Sequence, residues 1–414
     1  MSITTHPHRS ENAMKDEVKA CYSRLYRDGL LEDTLPFWFP RCVDTEHGGF
    51  FTALDRDGTV IDTDKSIWHQ GRISWLLATL YTTVEPRPEW LAGSGSGIEF
   101  LRRHGFDSDG RMFFQVTRDG RPLRKRRYVF SEAFAALAFA AYAVASGDEK
   151  AATEARAIFD TFQRYTTTPG LLPPKGIVET RPTKGLAQPM ITINVAQQLR
   201  DTVGDPEYCT AQIDRCIDEI RRDFLHPEME CVLETVGPNG EFLDHFDGRT
   251  VNPGHAIEAA WFILHEARLR GGDRELTALG CQMLDWMWAR GWDQEYGGLL
   301  YFIDVKGLPI QEYWHDMKFW WPHTEAIIAA LLAYHLTGDA KYADWHRQVH
   351  DWAYAHFPDP EHGEWYGYLH RDGSVSVPLK GNMWKGNFHL GRMQWYCWQL
   401  LEGRPPGKPL APPY

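Results

Sequence analysis

The segment GGFFTALDRDGTV (48–60) reads as a glycine-aromatic strand, a turn on Asp57-Gly58 and a second short strand, and the pattern recurs along the chain. Related copies are GRMFFQVTRDGRPL (110–123), MECVLETVGPNGEFL (229–243), YGGLLYFIDVKGLPI (296–310) and GEWYGYLHRDGSVSV (363–377). Asp57-Gly58, Asp119-Gly120, Asn239-Gly240 and Asp372-Gly373 are pairs favoured by two-residue hairpin turns, where the backbone must reach positive φ. The copies begin 62, 119, 67 and 67 residues apart. The gap of 119 is about two periods. It leaves room for a degenerate sixth copy at GLLPPKGIVET (170–180).

After each hairpin, about 45–50 residues remain, enough for two ordinary helices with short connections. Helical periodicity is visible in SEAFAALAFAAYAVA (131–145) and HTEAIIAALLAYHL (323–336). One helix pair cannot bury both its faces, so the units must stack, and six periods of about 69 residues account for the whole chain. The sequence therefore predicts an all-α fold: a single (α/α)6 toroid over 1–414 with short β-hairpins on one rim. An open helical solenoid or two helical domains are the alternatives. About 1–14 and 404–414 are expected to be flexible tails. Gly93-Ser94-Gly95-Ser96-Gly97 follows no strand and reads as a flexible connection.

Composition sets the remaining bounds. Of 414 residues, 43% are hydrophobic and 24% charged, as in an ordinary globular protein, which excludes disorder for most of the chain. Acidic residues outnumber basic ones by 56 to 44, and the only basic tract is Arg124-Lys125-Arg126-Arg127, so neither nucleic acid nor an anionic membrane is expected as a partner. The polar amino-terminal stretch MSITTHPHRSENAMKDEV lacks the apolar core of a signal peptide. The longest apolar run, 134–145, is too short to span a bilayer. Seven cysteines without a C-x-x-C pair predict reduced thiols in the cytoplasm. Seventeen Trp, 17 Tyr and 21 Phe fit either a heavily packed core or stacking platforms for sugars, and composition leaves both open.

Four of the predicted helices start with an unusual polar set. Trp68 and Arg72 share one face of the first. In the second, Asn252 and Pro253 are suited to the cap and first position, which places His255 in the first turn and Glu258 beside it. Lys318, Trp321, His323 and Glu325 surround Pro322, which marks the third start. His389 and Arg392 follow Asn387, the expected cap of the fourth. Inner helices of a toroid run in one direction, so their amino ends converge. Arg72, His255, Glu258, His323, Glu325 and His389 would then meet in one cup. Positive helix ends favour neutral imidazole and stabilise negative charge on a substrate oxygen. A neutral histidine titrating near working pH suits a general base. Taken singly, each histidine, tryptophan or glutamate reads as a cap or core residue, and Glu132 as an answer to its helix dipole. No P-loop and no H-E-x-x-H occurs. His255 with Glu258, or His323 with Glu325, could in principle bind a metal, but the same groups suit metal-free proton transfer.

These segments resemble the N-acylglucosamine 2-epimerase family. The likeness is carried by GGFFTALDRDGTVIDTDKSIWHQGR (48–72), RRYVFSEAF (126–134), NPGHAIEAAWFIL (252–264), DMKFWWPHTEA (316–326) and LKGNMWKGNFHLGR (379–392), and extends over about residues 35–402. It implies an (α/α)6 barrel, a homodimer, and interconversion of N-acetyl-D-glucosamine and N-acetyl-D-mannosamine without a redox cofactor or metal. ATP is implied only as a possible activator that is not consumed, and no nucleotide motif bears on it. By resemblance, His255 and His389 form the acid/base pair that exchanges the C2 proton on opposite faces of the ring-opened sugar. Glu258 orients or polarises an imidazole, and Arg72 holds the enolate or ring oxygen. Trp68, Asn194, Lys318, Trp321, His323, Glu325 and Arg392 complete the substrate wall. Two positions depart from many relatives: Gly391 stands where a proline is common, and Asn387 where a cysteine is. The related cellobiose 2-epimerases tend to carry another histidine on the helix read here as Ile191 to Gln198, which has none. The competing readings are epimerisation or isomerisation of unacetylated sugars, glycoside hydrolysis by Glu258 and Glu325, and a non-catalytic sugar- or protein-binding role.

Overall fold

The computed structural model describes residues 14–404 apart from 127 and 175. Except for Met14 and Arg404, the expected tails lie outside the described residues. Twelve helices of 13 residues or more form the frame. They are α1 (Asp16–Asp28), α2 (Ile67–Thr83), α3 (Pro88–His104), α4 (Phe130–Ser146), α5 (Glu149–Thr167) and α6 (Ala187–Arg200), followed by α7 (Pro206–Glu219), α8 (Pro253–Leu269), α9 (Arg274–Gly291), α10 (Trp320–Thr337), α11 (Ala340–His356) and α12 (Phe388–Leu401). The even-numbered helices pack side by side, each on the next, and α12 returns to α2, closing a ring. Each is backed by an odd-numbered helix. Five of these pairs are sequence neighbours, and the sixth joins α1 to α12 from the two ends of the described chain. The architecture is an (α/α)6 barrel.

The sequence separates the two layers. Inner helices are apolar on all sides: in α10 every residue from Trp320 to Ala333 is buried, the mark of a helix surrounded by protein. Outer helices carry one stripe, as in α5, which buries Ala151, Ala155, Ile158, Phe159 and Phe162. Asp148, Asp205, Asp273 and Asp339 cap four outer helices, their side chains accepting first-turn N–H groups. Each such cap is worth about 1 kcal/mol.

The run from Gly93 to Gly97 is not a flexible connection. It lies inside α3, where Ser94 Oγ donates to the Ser74 carbonyl at 2.9 Å. A Cβ on Gly97 would fall 2.0 Å from Ser74 Oγ, so the missing side chain is what lets α3 approach α2 so closely.

The rim hairpins differ from expectation in three respects. First, the loops are three residues long rather than two. Asp55 N–H donates to the Thr59 carbonyl and Gly58 N–H to the Asp55 carbonyl, with positive φ at Gly58 alone. That is a type I turn closed by a glycine bulge, and it repeats at Gly120, Gly240 and Gly373. Secondly, four strand pairs of the described residues cross between repeats, among them Lys65–Ser66 with Gln115–Val116 and Lys318–Phe319 with Tyr368–Leu369. Thr235–Val236 pairs with Lys184–Gly185, and Ile303–Asp304 with Thr250–Val251. Thirdly, no strand lies within the described residues of 170–180, so the expected sixth hairpin is not formed there; the strand Lys184–Gly185 follows, just before α6.

A set of buried ion pairs ties the rim together. Lys65 Nζ donates to Asp44 at 2.8 Å and Lys318 Nζ to Asp293 at 2.9 Å, with both ammonium groups fully buried. The arginine of each R-D-G loop reaches the preceding repeat with two hydrogen bonds: Arg118 to Asp44, Arg371 to Asp293, and Arg56 to Asp359. Burial alone would raise the Asp293 carboxyl, but hydrogen bonds from Arg371 and Lys318 hold it well below the usual carboxylate range. Asp293→Ala strands a buried ammonium and is expected to lower the unfolding free energy by about 3 kcal/mol. Chemical denaturation followed by tryptophan fluorescence measures the loss.

Candidate active site

The amino ends of the inner helices open at the hairpin rim, and two of them present histidines. Asn252 caps α8 as expected, its side chain accepting the His255 N–H at 3.1 Å, with Pro253 at the start of the helix. His255 is half-buried and lies on the Trp321 indole, with ring centres 4.9 Å apart. Its Nδ1 meets Glu234 Oε1 at 3.0 Å. His389, in the first turn of α12, packs against the same indole at 5.9 Å. Its Nδ1 meets Glu325 Oε1 at 2.7 Å. An Nδ1–H donated to a carboxylate leaves Nε2 of each ring as the reactive nitrogen.

Beneath the histidines, Arg392 joins two carboxylates. One nitrogen, Nη2, donates to Glu258 Oε1 at 2.6 Å and lies 2.7 Å from Glu325 Oε2. Glu325 Oε2 also accepts from Trp261 Nε1 at 2.7 Å. Ligand atoms of Glu258, Glu325 and His389 lie within 4.8 Å of one another. The charge of both carboxylates is already answered by the guanidinium, so these groups do not form a vacant cation site. Arg72 is held differently. Its guanidinium lies 4.1 Å from the Phe134 ring centre, 4.9 Å from Phe388 and 5.4 Å from Trp68. Burial and the Arg392 charge bring its pKa down to about 9, against the pull of Glu258 and Glu325. A buried cation over aromatic faces, without a bonded carboxylate, is suited to an anionic oxygen.

The two imidazoles have opposite electrostatics. Burial lowers the His255 pKa, but the charge and hydrogen bond of Glu234, together with the Glu258 charge, outweigh it and the net displacement is upward. The His389 pKa is pushed well below its ordinary value by burial and then by Arg72 and Arg392. The two rings are thus displaced in opposite directions, an arrangement suited to an acid and a base.

Several expected roles are corrected. Lys318 is not part of a hydroxyl-binding wall, because its ammonium is fully buried on Asp293 at the rim. His323 is also absent from the cup. Its Nε2 accepts the Leu299 N–H at 2.9 Å, Nδ1 meets the Phe319 carbonyl at 2.7 Å, and the ring stacks on Trp352 of α11. It pins the hairpin to the helix start, as Gln70 does for Phe50 and Glu132 for Met112. Glu258 bonds Arg392 and neither histidine, while Glu325, expected in the wall, is the carboxylate that orients His389. Asn387 precedes α12 without capping it. Asn194 accepts from Gln198 at 3.0 Å and lies below the cup. It lines a cavity of about 100 Å³ beyond Arg392, together with Trp75, Gln198 and Trp261. Trp68 stands at the mouth among Phe114, Tyr128 and Trp384.

Glu234 and Trp261 were missed. Glu234 lies in a bend beside the rim strand Thr235–Val236, 21 residues before its histidine, and no local spacing marks it. Trp261 was hidden in the apolar run AIEAAWFIL of α8.

Comparison with known proteins places the chain. A family profile described as N-acylglucosamine 2-epimerase (GlcNAc 2-epimerase) matches residues 49–390. The chain is 37% identical over 395 residues to an N-acylglucosamine 2-epimerase of Bos taurus, covering 94% of this chain and 93% of the relative. A cellobiose 2-epimerase of Bacteroides fragilis is 25% identical over 386 residues, covering 89% of this chain and 95% of the relative. Among solved structures, cellobiose 2-epimerase from Bacillus thermoamylovorans aligns with a TM-score of 0.80 at 20% identity, over 93% of this chain and all of that one.

The corrected placement of His323 is testable. His323→Leu leaves the Leu299 N–H unsatisfied and should cost about 2 kcal/mol of stability. Turnover at a temperature where the variant is folded should stay within about twofold of wild type, because the ring touches no group of the cup. Thermal unfolding and steady-state kinetics report the two effects separately.

Proposed function

The chain belongs to the N-acylglucosamine 2-epimerase family, and from that premise we propose that it interconverts N-acetyl-D-glucosamine and N-acetyl-D-mannosamine through two imidazoles acting on opposite faces of C2. The observation that carries this reading is the pair His255 and His389. They stand on separate helices against one indole, each with Nδ1 on a carboxylate, and their surroundings displace the two pKa values in opposite directions.

The sugar ring must open first, since only the aldehyde acidifies the C2 proton. Neutral His389 Nε2 removes that proton, the C2–H electron pair moves into the C1–C2 bond, and the carbonyl pair moves onto the oxygen. Arg72 holds the resulting enolate oxygen, where a guanidinium in a dry aromatic pocket acts most strongly. His255, protonated, returns hydrogen to the opposite face, and closure of the ring gives the epimer. The two histidines have then exchanged proton states and reset through solvent.

Glycoside hydrolysis is disfavoured by the carboxylates themselves. Glu258 and Glu325 share one guanidinium nitrogen, so neither can serve as the separate proton donor that bond cleavage requires. The N-acylated substrate is favoured over cellobiose by the identities of 37% and 25% to the respective relatives. A cytoplasmic setting is supported by seven cysteines without a disulfide, six of them buried. No helix among the described residues is long and apolar enough to cross a membrane. We also propose a homodimer, as the family likeness implies.

NMR of N-acetylmannosamine, glucose, mannose and cellobiose with the enzyme in D2O tests both reaction type and substrate. Deuterium should enter C2 of both N-acetylated epimers, with the other sugars turned over more slowly. His255→Asn and His389→Asn should each lower epimerisation by about 10³-fold or more, and full turnover in either variant overturns the two-imidazole mechanism. Dialysis against EDTA should leave the rate unchanged, as Arg72 and Arg392 supply the positive charge.

A further inference from the structure

We infer that Glu234 is a positioning residue for this epimerisation: it holds the His255 ring through Nδ1 and keeps it in the proton-donating state. The inference rests on the two-imidazole reading above and goes beyond it, because it explains what makes two similar histidines unequal.

The barrel contains the same carboxylate–imidazole pair twice. In one copy, Glu325 Oε1 meets His389 Nδ1 at 2.7 Å while Oε2 is taken by Trp261 and Arg392. Its negative charge is shared with a guanidinium before the imidazole can draw on it. In the other copy, Glu234 Oε1 meets His255 Nδ1 at 3.0 Å, and the buried Oε2 has no hydrogen-bond partner. No lysine or arginine among the described residues pairs with Glu234. All the charge of this carboxylate is therefore available to one imidazole.

The backbone fixes that carboxylate. The Glu234 carbonyl accepts the Leu186 N–H at 3.0 Å, and the adjoining Thr235–Val236 strand pairs with Lys184–Gly185. The ring it holds is fixed on its other face by the Trp321 indole. The groups facing His255 are Glu234 from the rim, Glu258 from its own helix and His389 from α12, and the Glu234 charge is also felt by Tyr301 of the next hairpin. Among these only the two carboxylates favour the imidazolium, and Glu258 is bonded to Arg392. Burial pulls the other way, so without Glu234 the ring would release its proton more readily.

The test is the pH dependence of kcat/KM, which reports the free enzyme's acid and base. Activity is lost on the alkaline side as pH rises through the pKa of the required acid, His255. Glu234→Gln keeps the size of the side chain and an oxygen to accept from Nδ1, but removes the charge. The alkaline limb should move to lower pH by about one unit or more, with the acid limb in place. Glu234→Asp, which keeps the charge, should retain the limb while lowering kcat. A Gln variant whose profile is only scaled down, with both limbs unmoved, overturns the inference. Should neither variant fold, NMR titration of His255 in the wild type decides: a midpoint above that of a free histidine supports the role, and one below it overturns it. The two readings fail separately. Inactive His255→Asn with an unmoved limb in Glu234→Gln removes only the role of Glu234, whereas an active His255→Asn removes the mechanism beneath it.

Discussion

One nitrogen of Arg392 lies against two carboxylates from different helices, and the chemistry of the cup depends on that shared cation. Glu258 comes from α8, Glu325 from α10 and Arg392 from α12, so the contact locks three of the six inner helices together at the depth where the substrate would rest. Two neighbouring carboxylates in a dry site repel one another. The guanidinium between them offsets that repulsion and quiets their field. Glu325 can then hold His389 by geometry while leaving the ring neutral. The difference between the histidines thus reflects burial with the Arg72 and Arg392 charges at His389, against the unshared Glu234 carboxylate at His255.

The rim serves this centre by holding the helix starts in place. Lysines before α2 and α10 are buried on aspartates, loop arginines pass from each repeat to the one before, and Gln70, Glu132 and His323 pin hairpin N–H groups to the first turns. These polar residues resemble a binding site in the sequence because they share its neighbourhood. They are instead its mounting. A cup assembled from six helix ends needs each end set against its neighbours, and buried ion pairs with fixed geometry give that register more sharply than apolar packing alone.

Much of the fold was legible because the repeat is strong: hairpin, helix pair and period together leave little besides a closed ring. The meeting of His255, His389, Arg72 and Glu258 also followed from parallel inner helices. Lys318 and His323 misled because a helix start has two sides, one facing the bore and one facing the outer layer. Spacing within a single turn does not say which side a residue takes. Glu234 was illegible because it sits beside a strand that pairs across repeats while its partner, His255, opens a helix 21 residues on, and the glycine run of α3 misled because its purpose is close approach to α2, visible only with both helices in hand. Local pattern reports periodicity and caps; the choice of partner belongs to tertiary structure.

The pairing of α1 with α12 has a consequence for biosynthesis. The first helix of the described residues is the outer partner of the last inner one, and that last helix carries both His389 and Arg392. Until α12 is made, α1 lacks this partner surface, and Glu258 and Glu325 lack their shared cation. Closure of the ring and completion of the cup therefore come together.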